Sequence, residues 1–188
     1  PAQFRRGLLD TEWQACSLKI EEVQTSLDKT VKLGLSTFDG HLIESVLIPM
    51  DTGKFTQCIS SQIGCALGCS VCMTGTLGLR RNLSTAEIVD QIRLAKRDFP
   101  DCQVRNIVFM GMGEPLHNVD GVVAATKILQ SPRGLMVSKR RLTVSTAGVI
   151  PGIHRLSTEA EVLLAVSLNA PNQKIRERLM PIARKYPL

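Results

Sequence analysis

Three apolar runs set the possibilities for this chain. NIVFMG (106–111), RLTVST (141–146) and VLLAVSL (162–168) read as strands, and the helical patterns VDGVVAATKILQ (119–130) and NQKIRERLM (172–180) alternate with them. A short helix fits 151–157. Uninterrupted apolar strands separated by helices predict a parallel sheet buried on both faces, because the crossover helices lie over it. From Cys58 to Leu188 the chain holds about four strands, whereas a closed eight-unit barrel takes about 250 residues. The expected architecture is therefore α/β, an open or partial barrel.

The segments before this alternation carry local signals. NLSTAEIVDQIRLAKRDFP opens with S-x-x-E, so Ser84 is the expected helix cap and Glu87 its reciprocal partner. Ile88, Ile92 and Ala95 give the apolar face, and Pro100 closes the helix. KTVKLGLSTFDGHLIESVLIP holds two β-rich runs around Phe38-Asp39-Gly40, a hairpin signal, and Pro49 ends the second run. Residues 1 to about 24 read as the end of a helix and a linker. The expected division is 1–24 accessory helical region and linker, 25–57 β-hairpin extension, and 58–188 barrel portion.

Four of the six cysteines fall in CISSQIGCALGCSVC: Cys58, Cys65, Cys69 and Cys72. The N-terminus lacks the apolar core of a secretory signal, and no apolar run reaches the roughly 18 residues of a membrane span. Clustered cysteines in such a chain point to metal or redox chemistry rather than disulfides. Zinc ribbons use two C-x2-C pairs, often widely separated; here one pair, Cys69 and Cys72, follows Cys65 in C-x3-C-x2-C. Three thiolates in one compact loop suit a cubane iron–sulfur cluster with one iron left for another ligand. A structural zinc site and unrelated buried thiols are the plainer alternatives. VFMGMGEP (108–115) stands where a parallel strand ends, and ligands bind beyond such ends. Gly111 and Gly113 would let a ligand approach the backbone, and Glu114 could accept hydrogen bonds from an ammonium group.

The net charge of +6 permits a polyanionic partner such as RNA. Arg80-Arg81 and Lys139-Arg140-Arg141 flank element ends where they could meet phosphates, although a solvated surface explains them equally well. Aromatic residues make up only 4%, which argues against a broad base-stacking platform.

C-x3-C-x2-C is the signature of radical S-adenosylmethionine (SAM) enzymes. The likeness goes further. CISSQIGCALGCSVCMTGTLGLRRNLSTAEIVDQI, NIVFMGMGEPLHNVD, SKRRLTVSTAGVIPGI and LAVSLNAPNQKIRERLMPIARKYPL together resemble the RlmN/Cfr family, in order and spacing, from about Lys29 to Leu188. These enzymes methylate adenines in 23S rRNA, and the RlmN branch, which this chain resembles most, modifies C2 and also acts on tRNA. The resemblance implies a partial (β/α) radical SAM barrel, with about four of its six strands present, behind a β-hairpin extension. It implies a 4Fe-4S cluster on Cys65, Cys69 and Cys72, and SAM contacts from Gly113, Glu114, Ser145, Ser167, Leu168 and Asn169. Many members have His where Asn169 stands. Glu44 matches a proton acceptor. Cys58 matches the cysteine that helps remove the ring proton and resolves the protein–RNA adduct through a disulfide. The methyl-accepting cysteine of the family has no counterpart here: Cys16 and Cys102 fall in the wrong parts of the pattern and read as structural thiols. The chain is thus expected to be the front portion of such an enzyme, starting as it does at Pro1, and unable to complete methyl transfer by itself. An electron donor such as flavodoxin or ferredoxin, a monomeric state and a cytoplasmic location complete the expectation. The competing readings are a radical SAM enzyme with another substrate class and a non-enzymatic, zinc-binding RNA module.

Overall fold

A computed structural model describes residues 17–188. Cys16 and the expected helix end before it lie outside the described residues. In chain order the elements are β1 (Leu18–Thr25), β2 (Val31–Thr37), β3 (Leu42–Pro49), β4 (Phe55–Cys58), β5 (Gln62–Gly64), α1 (Met73–Thr76), β6 (Leu79–Asn82), α2 (Thr85–Asp98), β7 (Val104–Phe109), α3 (Val119–Gln130), β8 (Leu142–Thr146), α4 (Ile150–Glu159), β9 (Leu163–Val166) and α5 (Gln173–Leu179). Seven strands form one sheet in the order β1-β2-β3-β4-β7-β8-β9. The pairings β1–β2, β2–β3 and β3–β4 are antiparallel; β4–β7, β7–β8 and β8–β9 are parallel.

The hairpin forms where Asp39-Gly40 sets it. Gly40 has a φ of 80°, and the Thr37 amide closes the turn by donating to the His41 carbonyl at 2.8 Å. Val31, Leu33 and Leu35 alternate inward along β2 and oppose Leu47, Ser45 and Ile43 of β3. The segment 17–24, expected as linker, is instead mostly strand: β1 pairs with β2 along its length, and the hairpin becomes a three-stranded extension of the main sheet.

α2 begins as its sequence dictates. Ser84 Oγ accepts from the Glu87 amide at 3.2 Å, and Glu87 Oε2 accepts from the Ser84 amide at 2.8 Å. Ile88, Ile92 and Ala95 are buried and join Val122 and Leu129 of α3 and Ile107, Phe109, Leu142 and Val144 of the sheet in one core. The opposite face of the sheet departs from the expected double burial. Val108, Thr143 and Ser145 are only half-buried, and in β9 Leu163, Leu164 and Val166 are exposed. The core gathers on one face, and among the described residues β9 is an edge strand bonded to β8 alone. Among the described residues no helix is long and apolar enough to cross a membrane.

Arg81 ties the hairpin tip to this framework. Its guanidinium donates to both carboxylate oxygens of Asp39 and both of Glu87, each at 2.8 Å, and lies 5.5 Å from the Phe38 ring centroid. Burial by itself would raise the Glu87 pKa. The Arg81 hydrogen bonds and the Ser84 amide outweigh that and hold it below the ordinary carboxylate value. Glu87 therefore contributes stability that is present at neutral pH and lost as pH falls through its lowered folded pKa. An Arg81→Met variant leaves a buried carboxylate with a raised pKa. It should lose about 2 kcal/mol at pH 7, less than a fully buried pair because Arg81 is 29% exposed. Denaturant titrations should show the gap to wild type widening from acid to neutral pH; a gap independent of pH would contradict this.

Candidate functional site

The carboxyl ends of β4, β7, β8 and β9 point the same way, and the loops that follow them meet there. A cleft of about 270 Å³ opens between these loops and the cysteine segment. Its walls include Cys65, Cys69, Cys72, Gly113, Glu114, Ser145, Ser167 and Asn169. A larger groove of about 570 Å³ lies between α4 and β9, but its lining has neither cysteines nor strand-end loop residues. The cysteines and the strand-end residues gather on the smaller cleft.

The cysteine loop is closed at its neck by the two-stranded sheet β5–β6. Gly64 has a φ of 74°, and a Cβ there would lie 1.7 Å from the Gly78 carbonyl oxygen, so this crossing requires glycine. The Cys65 amide donates to that same Gly78 oxygen at 3.1 Å. On its far side the loop is held by the Ser70 amide, which donates at 2.9 Å to the Leu179 carbonyl, one of the free carbonyls at the end of α5.

Burial differs along the triad: Cys65 is buried, Cys69 half-buried and Cys72 exposed. Burial raises the pKa of Cys65, and the amides of Leu67 and Glu114 offset this in part while the charges of Glu114 and Cys72 add to it. Burial also raises Cys69, followed by the charges of Cys65, Cys72 and Glu114. A cationic metal centre bound among them would reverse that direction, since thiolates are the ligating form. Among the described residues no group of three or more His, Cys, Asp or Glu converges closely enough to hold a single metal ion.

Glu114 is 3% exposed and ties the loops together. Its amide donates to Gln62 Oε1 at 2.8 Å; its Oε1 accepts from the Leu116 amide at 3.0 Å and its Oε2 from the Ala147 amide at 2.8 Å. Each carboxylate oxygen retains capacity for a further donor. The glycines beside it line the cleft and also answer to packing. A Cβ on Gly111 would lie 2.8 Å from the Ile59 carbonyl, and one on Gly113, whose φ is 98°, would lie 2.5 Å from Gln62 Cβ.

The remaining expected residues divide. Ser145 and Ser167 hydroxyls lie 3.4 Å apart on neighbouring strand ends. Asn169 has a φ of 56°, a left-handed conformation that Asn tolerates better than most residues, and its Nδ2 donates to Met180 Sδ at 2.8 Å. Leu168 does not line the cleft; its side chain is exposed and its carbonyl is the group engaged. Cys58 is not among the residues that line the cleft. Burial pushes its thiol up in pKa, and the amide of Met110, a cleft residue, points at the sulfur and offsets part of that rise. Cys58 opposes Val46 across β3–β4, which puts Cys58 and Glu44 on the same sheet face, one diagonal step apart. Glu44 is exposed and pairs with Lys32 at 3.2 Å. Cys102 sits at a turn against the core.

Sequence reasoning missed the buried polar residues that hold these parts in place. Ser60 Oγ donates to the Glu44 carbonyl at 2.6 Å and accepts from the Met112 amide at 2.9 Å. Gln91 Oε1 accepts from the Ser60 amide at 2.8 Å and its Nε2 donates to the Ser60 carbonyl at 2.9 Å. Arg176, 3% exposed, donates to the backbone of two strand-end loops. A run of polar residues between two cysteines was the available signal for the first group; nothing local marked Arg176.

The sequence profile of the Radical SAM superfamily matches residues 59–186. Among curated proteins, the chain is 52% identical over 185 residues to a "Dual-specificity RNA methyltransferase RlmN" of Geotalea uraniireducens, covering 98% of this chain and 52% of that protein. It is 51% identical to the protein of the same name from Geobacter sulfurreducens, covering 99% and 50%. The crystal structure of a radical SAM methyltransferase from Sphaerobacter thermophilus superposes with a TM-score of 0.92 at 40% identity, over 100% of this chain and 56% of that one. The chain thus spans about half the length of the relatives it matches.

Because Glu114 accepts through both oxygens, Glu114→Gln sets an amide donor against a backbone donor. Stability should fall by about 1–3 kcal/mol, the cost of a buried group left unpaired. Denaturant unfolding that matches wild type would show that the bridge is not needed.

Proposed function

The chain belongs to the radical SAM superfamily, and from that premise and its likeness to proteins named RlmN we propose that it is of the RlmN family and supplies the cluster- and SAM-binding part of an RNA methyltransferase acting on C2 of an adenine in 23S rRNA and in tRNA. The observation that carries this reading is the convergence of Cys65, Cys69 and Cys72 with Glu114, Ser145, Ser167 and Asn169 on one cleft at the strand ends. All three thiols of the C-x3-C-x2-C loop line that cleft, and three thiolates from one compact loop suit a cubane cluster with one iron left for another ligand. A 4Fe-4S cluster held there would supply the electron for reductive cleavage of SAM.

This chain's residues take the other parts. Cys65, Cys69 and Cys72 hold the cluster as thiolates. Glu114 accepts from the SAM ammonium through capacity its backbone bonds leave free. Ser145, Ser167 and Asn169 bind the remaining polar groups of SAM, and the Leu168 carbonyl shapes that strip. Gly113 keeps Glu114 in reach by allowing the loop to lie against Gln62. Cys58, outside the thiol triad, is the reactive cysteine toward RNA, and Glu44 on the same sheet face is the proton acceptor. The methyl-accepting role is assigned to no residue of this chain. The seven-stranded sheet with its parallel β4, β7, β8 and β9 is read as part of a radical SAM barrel with a hairpin extension. Electrons come from a small redox protein such as flavodoxin or ferredoxin, and the reaction takes place in the cytoplasm.

Anaerobic incubation with SAM and dithionite tests the division of labour among the cysteines. Wild type and Cys58→Ala should both yield 5′-deoxyadenosine, while Cys65→Ala, Cys69→Ala and Cys72→Ala should each yield none. Loss of the product in Cys58→Ala, or its persistence in any triad variant, would overturn the assignment.

A further inference from the structure

We infer that Arg176 is a positioning residue for the SAM cleft, clamping the loops after β8 and β9 at a fixed separation. The inference rests on the proposed reading of that cleft. Arg176 lies in α5, outside the cleft wall, and is 3% exposed. Its Nη2 donates to the Ala147 carbonyl at 2.7 Å, its Nε to the Leu168 carbonyl at 3.2 Å and its Nη1 to the Tyr186 carbonyl at 3.4 Å. All three partners are backbone carbonyls. Among the described residues this buried guanidinium has no carboxylate partner, which is costly, so its place in the fold calls for a reason.

That reason lies in what the carbonyls belong to. Ala147 is gripped from both sides: its amide donates to Glu114 Oε2 and its carbonyl accepts from Arg176. Leu168 immediately precedes Asn169, whose left-handed turn is closed by the Ala170 amide donating to the same Leu168 carbonyl at 2.7 Å. One guanidinium thereby joins the Glu114–Ala147 bridge to the Ser167–Asn169 strip. α5 also receives the cysteine loop through Ser70 and Leu179. The requirement is for arginine. Its planar fork directs donors along diverging lines from separate nitrogens, whereas lysine has one nitrogen and cannot span these carbonyls.

The conservative variant Arg176→Lys decides the matter by amide hydrogen exchange and SAM binding. Exchange should rise about tenfold at 145–148 and 167–170, the loss expected for a charge-assisted bond, while β2, β3 and α2 keep wild-type protection. In the anaerobically reconstituted protein, SAM affinity by equilibrium dialysis should fall about tenfold at unchanged iron content. Unchanged exchange in both loops, or a uniform rise across the whole chain, would overturn the inference by showing no localised role. Failure of wild type to bind SAM would instead sink the reading of the cleft, and the exchange data would still judge Arg176.

Discussion

The carboxylate of Glu114 is the interaction on which the site depends. It is buried, and each of its oxygens takes a backbone amide from a different loop, while its own amide is held by Gln62. A buried carboxylate is stable only when donors surround it, so these bonds fix the loops relative to one another before any ligand arrives. Gly111 and Gly113 serve the same end. They let the β7 loop lie against Ile59–Gln62, where any side chain would force the two apart.

From this bridge the rest of the site follows. Gln62 begins β5, and β5 with β6 pinches the cysteine loop at Gly64 and Gly78. The triad thus hangs from the same short segment that aligns Glu114. Cys58 belongs to a different element, the last residue of β4, and it faces the half-open side of the sheet together with Glu44. The four clustered cysteines are divided by the fold into three on a loop and one on a strand. Such a division suits one group held by three thiolates and a separate thiol free for chemistry.

Much of the fold was legible because local chemistry and tertiary packing agree there. The helix at 85–98 carried its capping box, its apolar face and its terminating proline, and the hairpin carried Asp39-Gly40. β8 and β9 showed as apolar runs. The short strands β4, β5 and β6 were not legible: FTQC, QIG and LRRN have no period long enough to read, and they exist through pairing with distant segments. The same holds for burial. Ser60, Ser61 and Gln62 look like surface residues yet are almost wholly buried, because long-range backbone groups satisfy them. Arg176 in QKIRERL reads as an exposed charge on a short helix, and only the assembled loops reveal its three carbonyl partners. The cysteines and GMGEP were visible as motifs; the scaffold that aims them was not.

The division of the cysteines into three and one is most directly tested by iron and acid-labile sulfide analysis of the anaerobically reconstituted chain. The account predicts roughly four irons and four sulfides per chain in wild type and in Cys58→Ala, and almost none in Cys69→Ala. One zinc per chain without sulfide, or loss of the iron on replacing Cys58, would contradict it.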